Sequence, residues 1–139
     1  MCWNIEGFVT KVSEPGFLEY LHGFDVCCLT ETFTAANFDF RNVQEDYTVL
    51  HSPGVKLSKQ GRLSGGVVML LKKPLSRWIT DLNTGCDFVL AVRVHGGEFK
   101  DTILVCAYIP PVDSPYYRDK NVLCNITLLE DVLLDFQDK

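Results

Sequence analysis

Residues 25–29, Asp-Val-Cys-Cys-Leu, form a run of small, mostly apolar side chains without alternation, and the chain reaches a carboxylate, Glu31, just beyond it. A run this short and this uniform reads as a strand buried on both faces, of the parallel or central kind. Such a strand belongs inside a layered sheet. An ionised carboxylate is expensive to desolvate there, so Glu31 is expected at the strand's end rather than within it. Strand ends are where side chains of layered folds reach a cleft, and a carboxylate in that place can meet a metal or a substrate.

The rest of the chain supplies the partners for that strand. Residues 2–5 open as a short strand. Ser13 then precedes Glu14-Pro15-Gly16 and the helical run Phe-Leu-Glu-Tyr-Leu, with Gly23 just past its end. Residues 34–46 have no clear period and read as loop with a short turn of helix. Strands are predicted at 47–51, 67–72, 88–95 and 102–108. In the third of these Phe88, Leu90, Val92 and Val94 share one face, and Arg93 and His95 the other. The last three strands are separated by glycine-containing turns, including Gly96-Gly97, and predict an antiparallel meander. Ser114 as N-cap and Pro115 at the first helical position start the final helix. Its apolar stripe is Val122, Ile126, Leu129, Leu133 and Phe136. The order predicts one sheet of about five strands with helices on one face.

With 139 residues, 47% of them hydrophobic, the chain suffices for one domain with a buried core. No apolar run approaches the ~20 residues of a membrane span, and the amino terminus lacks the order of a signal peptide. These features predict a soluble, intracellular protein with no membrane partner. The six cysteines, Cys2, Cys27, Cys28, Cys86, Cys106 and Cys124, show no C-x-x-C spacing and do not cluster with His22, His51 or His95 in sequence. They read as reduced thiols acting as small hydrophobes, and Trp3 and Trp78 as packing. Net charge is −5, yet residues 47–80 hold six basic side chains and no acidic one: Lys56, Lys59, Arg62, Lys72, Lys73 and Arg77. A locally positive segment on an acidic chain is either a solvated hairpin or a contact for phosphates.

Four segments in order resemble the endonuclease/exonuclease/phosphatase superfamily, of the DNase-like fold. Cys2-Trp3-Asn4-Ile5-Glu6-Gly7 is similar to the family's opening "W-N-x-x-G" strand, and residues 24–32 to its second strand, which ends "L-x-E-T". Ser64-Gly65-Gly66-Val67 resembles the "S-G-G-V" start of the middle strand, and residues 105–111 the "Y-x-P" strand end. The style of the third and fourth segments is most similar to endonuclease domains of non-LTR retrotransposons.

The resemblance implies an α/β (α+β) fold: the amino-terminal half of a four-layer α/β-sandwich, over residues 1–139. It implies Mg2+, or Mn2+ in its place, held by Glu31, with Glu6 as a second ligand or an outer partner. Asn4 is implied to orient a phosphate or the attacking water, and Tyr108 to hydrogen-bond a phosphate oxygen. DNA is the implied partner, met through Lys56, Lys59 and Arg62, with a nuclear location to match. The family's "G-D-x-N" segment and terminal "D-H" pair are absent from the sequence, so the chain is expected to be incomplete and nearly inert alone. A non-catalytic relic or interaction module of the same fold is the alternative, as is part of an inositol-phosphatase or sphingomyelinase-like enzyme. A bare sheet face, left by a missing second sheet, is expected to drive self-association.

Overall fold

The computed structural model describes residues 1–96, 99–119 and 125–137. Its first strand, β1 (Cys2–Asn4), lies parallel to β2 (Val26–Thr30), and helices α1 (Phe8–Val12) and α2 (Phe17–His22) connect them. A parallel pair requires such a crossover, because the chain must return to the same end of the sheet. A short helix, α3 (Arg41–Gln44), leads into β3 (Tyr47–Ser52), and β4 (Val67–Lys72) then inserts between β2 and β3, antiparallel to both. Central placement explains the unbroken Val-Val-Met-Leu-Leu of β4: both of its faces are buried.

Beyond β4 a 3-10 helix, Lys73–Trp78, carries the chain into a second sheet of β5 (Ile79–Asp81), β6 (Val89–Gly96) and β7 (Phe99–Ala107). These three form an antiparallel meander. The α+β class and the mixed, mostly antiparallel pairing are as expected. The strands, however, divide into two sheets rather than one, and the first strand of the meander is β5, not β4. Proline 74 is the physical reason, since it has no N–H for a ladder and breaks the chain away from β4 at the start of the 3-10 turn. Three residues of β5 were too short a signal to read. Gly97 and Cys124 lie outside the described residues.

The two sheets pack face to face. From β4, Val67, Met69 and Leu71 meet Phe88, Val92 and Cys106 of the second sheet and its flank, joined by Tyr116 of α4 (Pro115–Asp119). On the other face, Val68 and Leu70 of β4 and Cys27 and Leu29 of β2 pack against Phe8, Phe17, Leu21 and Val43 from the helices. The outer side of the second sheet is covered by α5 (Asn125–Gln137), whose Val132 and Phe136 rest on Ala91 beside Ile103 and Val105. The layers therefore run helix, sheet, sheet, helix. β5, β6 and β7 cover the face of the first sheet that was expected to be bare. Helices flank both outer faces, not one.

Local chemistry accounts for the element ends. The Ser114 Oγ accepts the Tyr116 N–H at 3.3 Å, as an N-cap should, but the helix it starts is the short α4 and not the final one. On α5 Phe136 is buried as expected and Leu129 half-buried, but Val132 is buried in the place expected of Leu133, which is 40% exposed. Val122 lies outside the described residues, as does the side chain of Ile126. Tyr47, buried under α2, donates its hydroxyl proton to the Leu21 carbonyl at 2.8 Å and pins that helix to the sheet. Trp3 packs as expected, against Phe17 and Tyr20.

Candidate functional site

Because β1 and β2 are parallel, with Asn4 opposite Thr30, both strands finish at the same edge of the sheet. Their pairing runs on past the strand ends. The Ile5 N–H donates to the Thr30 carbonyl at 3.1 Å, and the Gly7 N–H to the Glu31 carbonyl at 2.8 Å. Glu31 itself turns into the left-handed region, with φ 52°. That conformation costs about 1–2 kcal/mol for a residue with a Cβ, so its surroundings must enforce it.

They do so through backbone contacts. The Thr32 N–H donates to Gly66 at 3.2 Å, the Phe33 N–H to Gly65 at 3.0 Å, and the Phe8 N–H to Thr32 at 2.9 Å. Two glycines are needed in Ser-Gly-Gly-Val for this approach. Both have positive φ, and a Cβ on Gly66 would lie 2.5 Å from the Thr32 Oγ1. The glycine pair thus lets one loop clamp the elbow that carries Glu31.

Beneath the elbow runs a chain of polar groups. Thr32 and Thr34, each 1% exposed, place their hydroxyl oxygens 3.0 Å apart, and the Thr34 Oγ1 lies 2.8 Å from the His51 Nε2. Burial holds the His51 imidazole below the usual histidine range. The Gly54 N–H donates to the Thr34 carbonyl at 2.9 Å, which ties the base of the 53–64 hairpin to the same place. A bridge between Val55 and Ser64 closes that hairpin, and Lys56, Lys59 and Arg62 are exposed on it. The Arg62 guanidinium stands 4.2 Å over the Phe33 ring.

The second sheet contributes Tyr108, the residue after β7. Its N–H donates to the Phe88 carbonyl at 2.9 Å, and its ring packs edge-on to Phe88. Burial, then the hydrogen bond to Glu31 and that carboxylate's charge, push the phenol up to about 12. Glu31 and Tyr108 therefore meet, although they belong to different sheets. Asn4 ends the neighbouring strand, and its Oδ1 accepts the Glu6 N–H at 3.4 Å. Glu6 is exposed on the loop after β1. The basic segment divides: Lys56, Lys59 and Arg62 are exposed on the hairpin, whereas Lys72 pairs with Asp25 at 3.6 Å, on the residue that leads into β2.

The sequence matches the model of the endonuclease/exonuclease/phosphatase family over residues 1–138. The chain belongs to this family. No curated protein matches the sequence significantly. The family covers metal-dependent phosphodiester hydrolysis in general, and its enzymes use divalent metals. Among the described residues no three His, Cys, Asp or Glu side chains gather to hold a metal, and no helix is long and apolar enough to cross a membrane. The donors on the rim are nevertheless of the right kind. A carboxylate and an amide oxygen suit a hard ion such as Mg2+, which keeps several waters and takes only one or two carboxylates beside substrate phosphate.

The three histidines are engaged away from this pair: His22 with Asp46 at 3.2 Å, His51 with Thr34, and His95 with Thr80 at 2.9 Å. Sequence reading named Glu31, Glu6, Asn4 and Tyr108 as candidates and did not single out Thr32, Thr34 or Phe33, which follow Glu31 on the elbow. The alternating threonines in Glu-Thr-Phe-Thr were the available signal, since polar residues repeating with period two on an otherwise apolar segment mark one shared face.

Proposed function

We infer that the chain is an endonuclease-type member of its family that engages DNA phosphodiesters with Mg2+. The meeting of Glu31 and Tyr108 across the two sheets carries this reading. Glu31 would hold the ion, with Asn4 beside it and Glu6 on the adjoining loop as a further oxygen donor. When bound, the ion supplies Lewis-acid neutralisation of the phosphate and lowers the pKa of a bound water. The phenol of Tyr108 stays protonated at neutral pH and can donate to a phosphate oxygen. The Asn4 amide can donate to a second oxygen or orient a water. Lys56, Lys59 and Arg62 on the hairpin extend the contact along the sugar-phosphate backbone, and Phe33 under Arg62 offers a ring face beside it. The Ser-Gly-Gly-Val and Tyr-Ile-Pro-Pro style favours a retrotransposon-type relative, with a nuclear site of action.

Two measurements test the reading. Mn2+ binding followed by electron paramagnetic resonance is expected to disappear in Glu31→Gln and to weaken in Glu6→Gln. Nicking of supercoiled plasmid in Mg2+ is expected to fall at least ~100-fold in Glu31→Gln, the scale of losing a metal's charge at the reacting phosphate. Unchanged Mn2+ binding in Glu31→Gln would overturn the assignment. Salt-sensitive DNA binding without any nicking would instead favour the interaction-module reading.

A further inference from the structure

Three strands from the two sheets bring sulfur together a short way below the rim. Cys2 on β1 faces Cys28 on β2 in register, and Cys28 packs against the buried cluster between the sheets that holds Cys106 of β7. Strands β2 and β7 approach within 8 Å between Cα atoms, closer than the ~10 Å usual for stacked sheets. All three thiols are free.

Exposure is graded along the trio. Cys106 is 2% exposed, Cys28 is partly exposed, and Cys2 is exposed. Cys2 and Asn4, which alternate with Trp3 on β1, are both exposed, and β1 is the edge strand beside Cys28. The neighbouring Cys27 points the other way. It is fully buried under α2, with its Sγ 3.7 Å from the Leu21 carbonyl, and burial pushes its thiol up. Contact with Cys106 has the opposite effect on Cys28, holding its thiol below the ordinary value. The same contact, with burial, pushes Cys106 up. One sulfur of the pair is thereby disposed to be the thiolate and the other to keep the proton, which is the division of labour between an attacking and a resolving cysteine.

We propose that Cys28 and Cys106 form an oxidation site that closes a disulfide between the two sheets when the chain meets hydrogen peroxide. The Cys28 thiolate attacks one peroxide oxygen, the O–O bond breaks, and hydroxide leaves, giving a sulfenic acid. The Cys106 sulfur then attacks the Cys28 sulfur; the S–S bond forms, the S–O bond breaks, and the hydroxyl departs as water with the Cys106 proton. Peroxide is reduced by two electrons, one from each thiol, and a dithiol reductant restores the pair. Cys28 lies three residues before Glu31 and Cys106 two before Tyr108. The bond would therefore lock together the two strands whose ends make the rim, though the proposal does not depend on what the rim does.

The test is a peroxide titration of the full chain, followed by alkylation of the remaining thiols in denaturant and peptide mapping by mass spectrometry. The expected product is a Cys28–Cys106 linked peptide that disappears on reduction, with Cys27 still alkylated. In Cys106→Ser the Cys28 sulfenic acid persists, giving about 10-fold more labelling by dimedone than in the unaltered chain. In the unaltered chain without peroxide, Cys28 is alkylated faster than Cys27 in the folded state, a comparison that needs no variant to fold. A Cys2–Cys28 link in place of the expected one, or equal alkylation rates for Cys27 and Cys28, would overturn the proposal.

Discussion

Replacing Gly66 by alanine tests whether the glycine pair is what clamps the Glu31 elbow. The position has φ 94°, where a side chain costs about 1–2 kcal/mol. The added methyl would also lie 2.5 Å from the Thr32 Oγ1 and 3.1 Å from the backbone nitrogen of Gly54. Neither neighbour yields easily. Thr32 is buried and hydrogen-bonded to Thr34, and the Gly54 N–H is committed to the Thr34 carbonyl. Overpacking of this kind costs about 1–3 kcal/mol. The two effects together come to about 2–5 kcal/mol, a large part of the 5–15 kcal/mol typical of a domain.

Gly16 provides the control, because it also has positive φ, 82°, but nothing lies within 4 Å of an added Cβ. Gly16→Ala should lose only the conformational part, about 1–2 kcal/mol. Equilibrium unfolding in urea of both variants separates the contributions. Spectrophotometric titration gives a second readout: if the elbow moves, Glu31 leaves Tyr108 and the phenol titrates closer to its ordinary value of about 10. If Gly66→Ala were no more costly than Gly16→Ala and Tyr108 titrated unchanged, the clamp would not be what fixes Glu31.

Three further outcomes follow from single contacts. Tyr47→Phe removes the hydroxyl bonded to the Leu21 carbonyl. That carbonyl keeps the Phe24 N–H at 3.0 Å, so the loss should be about 0.5–1.5 kcal/mol in urea unfolding. Because burial lowers the His51 pKa, the unfolded chain binds a proton more readily than the folded one. Stability from this group is therefore complete above the unfolded value of about 6.5 and is lost as pH falls from there towards the folded value. Unfolding measured between pH 7 and 5 should show that decline, and His51→Gln should flatten it. On the proposed DNA contact, Arg62→Ala should reduce the slope of log affinity against log salt by about one, read by fluorescence anisotropy at several salt concentrations.

The individual strands were legible because their signals are local. Val67-Val68-Met69-Leu70-Leu71 is too apolar for anything but a strand buried on both faces, and the break after β2 has to be where a carboxylate can emerge. Which strands share a sheet is not local information. The sequence of β4 says that both its faces are covered, but Val67 and Val68 look alike, and only the coordinates show one under the second sheet and the other under the helices. The switch between sheets rests on Pro74 and on three residues of β5, which carry almost no periodicity. Glu31 and Asn4 were legible from a motif and from position at strand ends. The threonines below them were not, since a buried polar chain is defined by partners distant in sequence, here His51, 17 residues from Thr34.

The division into two sheets changes what the rim depends on. Glu31 arrives on β2 of the first sheet and Tyr108 on β7 of the second, so the pair exists only while the sheets are docked. What docks them is the layer of Val67, Met69 and Leu71 against Phe88, Val92 and Cys106, a contact that carries no polar chemistry of its own. Packing at this density transmits displacement rather than absorbing it, and the reach of a hydrogen bond is a few tenths of an ångström wide. The apolar layer is thus part of the site in the same sense as the glycine clamp: one fixes where the carboxylate points, and the other fixes how far it stands from the phenol. A family of phosphoester hydrolases built on this sandwich gains a rim whose two sides are held by separate elements. The hairpin that carries Lys56, Lys59 and Arg62 leaves the fold between β3 and β4, and it touches the elbow at its base and through Arg62 over the Phe33 ring.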